Sequence, residues 1–121
     1  MDELNKGIAG LFEPEDDEGN IEYKQHLIEP TPERLERLIS QMKYRLAEGG
    51  GEALYELGVS DRGVPHGLND EELEKSMETM KILAEANNAE ANIVYIKAGK
   101  MKDHSIVEVL IRTNPMENEA V

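Results

Sequence analysis

Residues Gln41 to Leu68 read QMKYRLAEGGGEALYELGVSDRGVPHGL and carry the clearest local signals in the chain. They contain the end of a helical pattern, three glycines at 49–51, an alternating segment from Glu52 to Ser60, and a turn signal at 61–63. Glycine readily adopts the left-handed conformation that ends many helices, so this order predicts a helix, a stop and a strand. A phosphate loop would instead precede a helix N-terminus, and no GxxxxGK[ST] motif is present, so no P-loop is predicted.

Two amphipathic helices are predicted on either side of this segment. The first runs from Pro32 to about Glu48 with Thr31 as its N-cap, and the second follows Asn69 and continues to about Asn88. Glu72, three residues after Asn69, is placed to complete a capping box. The apolar stripes consist of Leu35, Leu38, Ile39, Met42 and Leu46 in the first helix, and Leu73, Met77, Met80, Leu83 and Ala84 in the second. Because each helix has one stripe, both are predicted to cover one face of a sheet.

Alternating segments predict the strands of that sheet. They are residues 21–28, 52–60, a short return at 64–68, 91–98 and 105–112. In the first of them, Ile21, Tyr23 and Leu27 are predicted to share one face, with Glu22 and Lys24 on the other. The order β-α-β-β-α-β-β predicts an α+β fold, with two helices on one face of a mixed four- to five-stranded sheet in the split βαβ arrangement. Residues 1–20 are predicted to be an acidic flexible leader, 21–113 a single α/β domain, and 114–121 a C-terminal tail or the start of a linker.

Composition and charge narrow the function. The chain has 121 residues, no cysteine and a formal net charge of −13, which excludes disulfides and argues against a general phosphate-binding surface. No apolar run is long enough for a membrane span and no secretory signal is visible, so we expect a cytoplasmic protein without a membrane partner. The charge reverses within the first helix, where the basic residues are Arg34, Arg37, Lys43 and Arg45. These four side chains are predicted to contact an anionic partner, and the alternative is a solvated helix face.

Three carboxylates are candidates for a metal site. Glu22 lies on the first strand, Asp17 is five residues upstream, and Asp61 lies in the turn after the second strand. If these segments are neighbours, the carboxylates could share Mg²⁺ or Mn²⁺ and assist phosphodiester hydrolysis. The alternative is that Glu22 is a surface acid and Asp61 a turn residue. The histidines lack ligand spacing, and no nucleophile motif is present, so neither a zinc site nor nucleophilic catalysis is predicted.

From about Gly19 to Arg112 the sequence resembles the GTP-binding protein 1/2 family, which are translational GTPases similar to elongation factors. The matching segments are Gly19-Asn20-Ile21-Glu22-Tyr23-Lys24, Gln41-Met42-Lys43-Tyr44-Arg45-Leu46, Gly51-Glu52-Ala53, Gly58-Val59 and Gly67-Leu68. In that family a G domain, which binds GTP and Mg²⁺, follows this N-terminal region. The resemblance implies an accessory domain that binds its own G domain, the ribosome or RNA such as tRNA or mRNA, with no DNA partner. It implies no cofactor and no GTP hydrolysis in this chain.

A more distant resemblance is to the AlbA-like domain of Schlafen proteins, carried by Glu22-Tyr23-Lys24, Gly50-Gly51 and the segment from Gly58 to Leu68. Some members of that family are metal-dependent RNA nucleases that use two glutamates and one aspartate. The resemblance implies Glu22 and Asp61 as metal ligands, with Asp17 where the first glutamate is expected. A Schlafen-like nuclease using Mg²⁺ or Mn²⁺ is therefore the alternative function.

Overall fold

Within residues 10–115, which the computed structural model describes, four strands form one mixed sheet with two helices. The elements are β1 (Ile21–Lys24), α1 (Pro32–Glu48), β2 (Glu52–Leu57), α2 (Asp70–Ala86), β3 (Ala89–Ala98) and β4 (Ser105–Thr113). The strand order is β1-β2-β4-β3, with β1 parallel to β2 and the other pairs antiparallel. The predicted α+β class, with two helices on a mixed sheet, is confirmed.

Two details of the predicted topology are not confirmed. β1 pairs directly with β2, with Glu22 opposite Tyr55, so no strand lies between them as a split βαβ unit requires. Residues 64–68 form no strand and contribute a single bridge between Leu68 and Ser105. Pro65 lacks an N–H for a strand ladder, and Gly67 has a φ of +96°, which turns the chain out of the extended conformation.

The helices begin where their caps predict. The Thr31 side chain accepts a hydrogen bond from the Arg34 N–H, and Asn69 and Glu72 form the predicted capping box. The core lies between the helices and one sheet face. It includes Leu38, Met42 and Leu46 of α1, Met80 and Leu83 of α2, and Tyr55, Leu57, Val107, Val109 and Ile111 of the sheet. Neither helix described within residues 10–115 is both long and apolar enough to cross a bilayer.

The segment before β1 packs against the turn after β2. The Phe12 N–H donates to the Gly63 carbonyl and the Glu15 N–H to the Asp61 carbonyl, both at 2.8 Å. Gly63 has a φ of +90°, and a Cβ there would overlap the Phe12 backbone, so this contact requires glycine. The predicted boundary at residue 21 therefore leaves out residues that are hydrogen-bonded to the domain. Residues 1–9 of the predicted leader and 116–121 of the predicted tail lie outside the described residues.

Candidate functional site

Glu22 is buried on the helix-covered face of the sheet, with 1% of its surface exposed. The prediction that Glu22 lies opposite the buried face of β1 is therefore wrong. Tyr23 packs on the other face with Val59 and Ile106, whereas Leu27 still joins the main core. The reason is that β1 ends at Lys24 and the chain bends, so the alternation does not continue to Leu27.

Arg45 neutralises Glu22 and binds the leader. Its Nε donates to Glu22 Oε1 at 2.7 Å, and its terminal nitrogens donate to the carbonyls of Asp16, Glu18 and Gly19. Burial alone would lower the pKa of Arg45, but the hydrogen bond and charge of Glu22 raise it above its ordinary value. Only 4% of Arg45 is exposed, so the prediction that it contacts a partner is wrong. Its guanidinium instead fixes the leader and β1 to α1.

Glu15 is the carboxylate that lies beside Glu22. Its side chain accepts the Tyr23 N–H, and burial raises its pKa to about 7, with the charges of Glu22 and Asp61 adding to the shift. Glu15 was not predicted as a site residue, because it directly follows Pro14 in an acidic segment whose pattern shows no period and therefore gives no sign of burial. Asp17 is exposed, and its carbonyl accepts the Tyr44 hydroxyl at 3.1 Å.

The predicted metal ligands do not form a recognisable metal centre. Glu22 Oε2 is 3.2 Å from Lys24 Nζ, so both of its oxygens face cations. In the part of the chain that the structure describes, no group of three His, Cys, Asp or Glu side chains could hold a metal ion. This geometry does not favour the nuclease alternative.

Two of the predicted basic residues line one groove. Arg34 and Arg37 of α1 join Lys24 of β1 around a cavity of about 230 Å³, with Leu38 and Gln41. Lys43 is exposed elsewhere on α1 and does not line this cavity. The sequence does contain a signal for Lys24 as a neighbour of Glu22, because residues two apart on a strand lie on the same face.

The cations of this groove differ in their pairing. Lys24 is held by Glu22, whereas Arg34 and Arg37 make no ion pair with any residue from 10 to 115. Arginine presents a planar fork of donors that matches a phosphate or a carboxylate. The groove is therefore chemically suited to an anionic group of modest size.

A second group of titratable residues, which was not predicted from the sequence, crosses the opposite sheet face. Tyr23, Glu56, Glu108 and Tyr95 lie side by side on β1, β2, β4 and β3. Burial and the adjacent Glu108 carboxyl raise the pKa of Glu56 to about 8, although the Tyr95 hydroxyl donates to Glu56 at 3.2 Å. Alternation in β2 and β4 places both glutamates on this face, but only the strand register shows that they are directly opposite.

Comparison with known proteins identifies relatives for most of the chain. GTP-binding protein 2 from human and from mouse is 41% identical over 105 residues, which is 84% of this chain and 17% of each relative. GTP-binding protein 1 from Xenopus laevis is 27% identical over 93 residues, covering 77% of this chain and 14% of the relative. The chain thus spans less than a fifth of the length of these curated relatives.

No protein-family model matches the chain, and no solved structure matches it either. None of the three relatives is a Schlafen protein, so the more distant resemblance remains unsupported. No matching structure or family model supports the resemblance to the AlbA-like domain either. The identity shared with the first two relatives over 84% of the chain shows that this chain belongs to the GTP-binding protein 1/2 family.

Proposed function

We propose that this chain is an accessory binding module of an elongation-factor-like GTPase and that it binds RNA phosphates, free or on the ribosome, through the α1 groove. The observation that carries the proposal is the meeting of Lys24, Arg34 and Arg37 around one cavity in a chain of net charge −13. The surrounding negative potential repels a polyanion, so binding would be confined to this groove. Lys43, exposed on the same helix, would add an outer phosphate contact.

The buried ion pair supports this role by fixing the groove. Arg45 and Glu22 connect α1 to β1, and Lys24 follows Glu22 on the same strand face. The cations therefore lie on α1 and β1, whose relative position is held by the buried ion pair of Arg45 and Glu22. A preorganised cluster loses less conformational freedom when an anion binds than three independent surface side chains would lose.

GTP binding and hydrolysis are not part of the role proposed for this chain. This chain has no P-loop motif, so we propose that GTP and Mg²⁺ bind to other parts of the full-length relatives. The chain would then act on GTP turnover only by binding its partner or its own G domain. A cytoplasmic location, where translation takes place, is part of the proposal.

The test is binding of fluorescently labelled tRNA and of purified ribosomes. In Arg34→Gln/Arg37→Gln, the slope of log affinity against log salt should fall by about two, one for each lost phosphate contact. Lys100→Gln/Lys102→Gln, which changes the net charge equally in an exposed loop, is the matched control and should bind like the parent. Unchanged binding in the arginine variant would make the groove assignment wrong.

Two further outcomes separate the alternatives. If neither RNA nor ribosomes bind, the RNA proposal fails, and titration with the purified G domain of GTP-binding protein 2 tests the remaining partner. Incubation of tRNA with the chain and Mn²⁺ tests the nuclease alternative, with Asp61→Asn and Glu22→Gln as controls. Cleavage that both substitutions abolish would establish the nuclease against the geometry described above.

A further inference from the structure

A groove of about 580 Å³ lies between α2 and the start of β3. Its apolar floor is formed by Met77 and Ala84 of α2 and by Ala89 and Ala91 of β3. Ala84 and Ala89 belong to the main core, so the groove opens directly above it. The small alanine side chains leave room for a partner's side chains, because a larger residue at these positions would fill the groove.

The rim of this groove is acidic. Glu74, Glu78 and Glu85 line it from α2 and Glu90 from β3, against one cation, Lys81. Within residues 10–115, none of these four glutamates forms an ion pair. The α2 members recur at intervals of four and seven residues, so they follow one edge of the helix along the groove.

Apolar surface continues from the floor along β3. Ile93 and Ile96 are 48% and 54% exposed, and their β4 partners, Val109 and Val107, are buried in the helix-side core. β3 pairs only with β4 in the described sheet, so its outer edge has no strand beside it. A register shift between Ile93 and Tyr95 interrupts the regular spacing of that edge. Such a bulge disfavours the addition of another strand, and it leaves the groove beside α2 as the better place for a partner.

We propose that the α2–β3 groove binds a basic amphipathic helix of a partner protein. The apolar stripe of that helix would lie on the alanine floor and on Ile93, and its lysines or arginines would face the four glutamates. Complementary charge on the two flanks of an apolar contact directs the approach and fixes the orientation. The charge of this groove is opposite to that of the α1 groove, so the two grooves would bind different partners. A negative result for one groove therefore leaves the proposal for the other groove unaffected.

The experiment uses an amphipathic helical peptide of leucine and lysine, labelled with fluorescein, of about 18 residues or about 27 Å in length. We expect saturable binding to the full chain by fluorescence anisotropy, weakening as salt rises. Glu78→Gln/Glu85→Gln should weaken binding by about tenfold, because two rim contacts are lost. Glu33→Gln/Glu36→Gln on α1, which removes the same charge from exposed positions, is the matched control and should bind like the parent.

Two control peptides test the chemistry of the partner. Replacing leucine by serine should abolish binding, and replacing lysine by glutamate should do the same. NMR amide shifts on binding should be largest at Ala89 and Ala91 and absent at Ser40 of α1. Equal binding of the serine peptide, equal loss in both glutamine variants, or shifts centred on α1 would each overturn the proposal.

Discussion

Two buried glutamates, Glu22 and Glu56, lie on neighbouring strands but on opposite faces of the sheet. Their exposed fractions are 1% and 4%. Both have a second carboxyl beside them, Glu15 for Glu22 and Glu108 for Glu56. Glu22 also has two cations, Arg45 and Lys24, whereas Glu56 has the Tyr95 hydroxyl. The buried carboxyl groups are thus accommodated in two ways, by cations that contact Glu22 itself and, where no cation of residues 10–115 makes an ion pair, by a raised pKa that keeps a proton on Glu56.

The difference separates two roles. The Glu22 region connects the leader, β1 and α1, and it determines where the basic groove lies. The Glu56 region connects strands that are already paired, so its ionisation affects stability more than shape. A buried acid therefore constrains the fold when its partner lies on an element that strand pairing does not already hold in place, as Arg45 of α1 does for Glu22.

The largest effect is expected from Arg45→Met, which leaves Glu22 buried with one of its two cations gone and leaves three leader carbonyls without their donor. We expect a loss of about 3 to 5 kcal/mol in the free energy of unfolding, measured by urea denaturation. Glu22→Gln/Arg45→Met should recover part of this loss, since no unpaired charge stays buried.

The matched control for this prediction is Arg112→Met. Arg112 forms an ion pair of similar length with Glu52, at 2.8 Å, but both side chains are exposed. We expect a loss of about 0 to 1 kcal/mol. If the two substitutions cost the same, burial does not distinguish the two ion pairs and the comparison fails.

The second prediction concerns pH and the Glu56 region. The folded chain holds a proton on Glu56 up to about pH 8, whereas the ordinary value of 4.5 applies when the chain is unfolded. The folded state therefore binds more protons over this range, and the free energy of unfolding should fall as pH rises from 4.5 to 8. Glu15, with a pKa of about 7, acts in the same direction up to that pH.

Glu56→Gln should remove the part of the pH dependence of the unfolding free energy that comes from Glu56. As the pH rises from 5 to 8, the free energy of unfolding of the variant should increase by about 1 to 3 kcal/mol relative to that of the parent. Urea denaturation at each pH measures this difference. The exposed substitution Glu36→Gln should leave the pH dependence unchanged. A parent stability that rises over this interval would contradict the assignment of the proton to the folded state.

The smallest effect is expected from Tyr95→Phe, which removes the hydroxyl that donates to Glu56. That hydrogen bond favours the charged carboxylate, so its loss should cost about 0.5 to 1.5 kcal/mol above pH 8 and less at pH 5. Thermal unfolding at the two pH values measures the difference. An equal cost at both would show that the ring packing matters and the hydroxyl does not.

The sequence determined the helices because their signals are local. Pro32 and Glu48 bound α1 as predicted, and Asn69 and Glu72 cap α2, since a cap and an apolar stripe depend only on residues within a few turns. It also indicated the four strands of the sheet and the basic character of α1, although the return strand predicted at 64–68 did not form. Contact of Arg34 and Arg37 with an anionic partner stays a prediction. The split arrangement predicted for the sheet is not confirmed, and the direct pairing of β1 with β2 could not be read in this way, because strand pairing joins residues far apart in the chain.

Only the tertiary structure decided which charges are buried. Arg45 and Glu22 are separated by 23 positions, and each looks like a surface residue until the other is placed beside it. Glu56 and Glu108 become a pair only when β2 and β4 align. The physical reason is that propensity and periodicity act over one element, whereas the burial of a charge is stable only with a partner, and that partner comes from elsewhere in the fold.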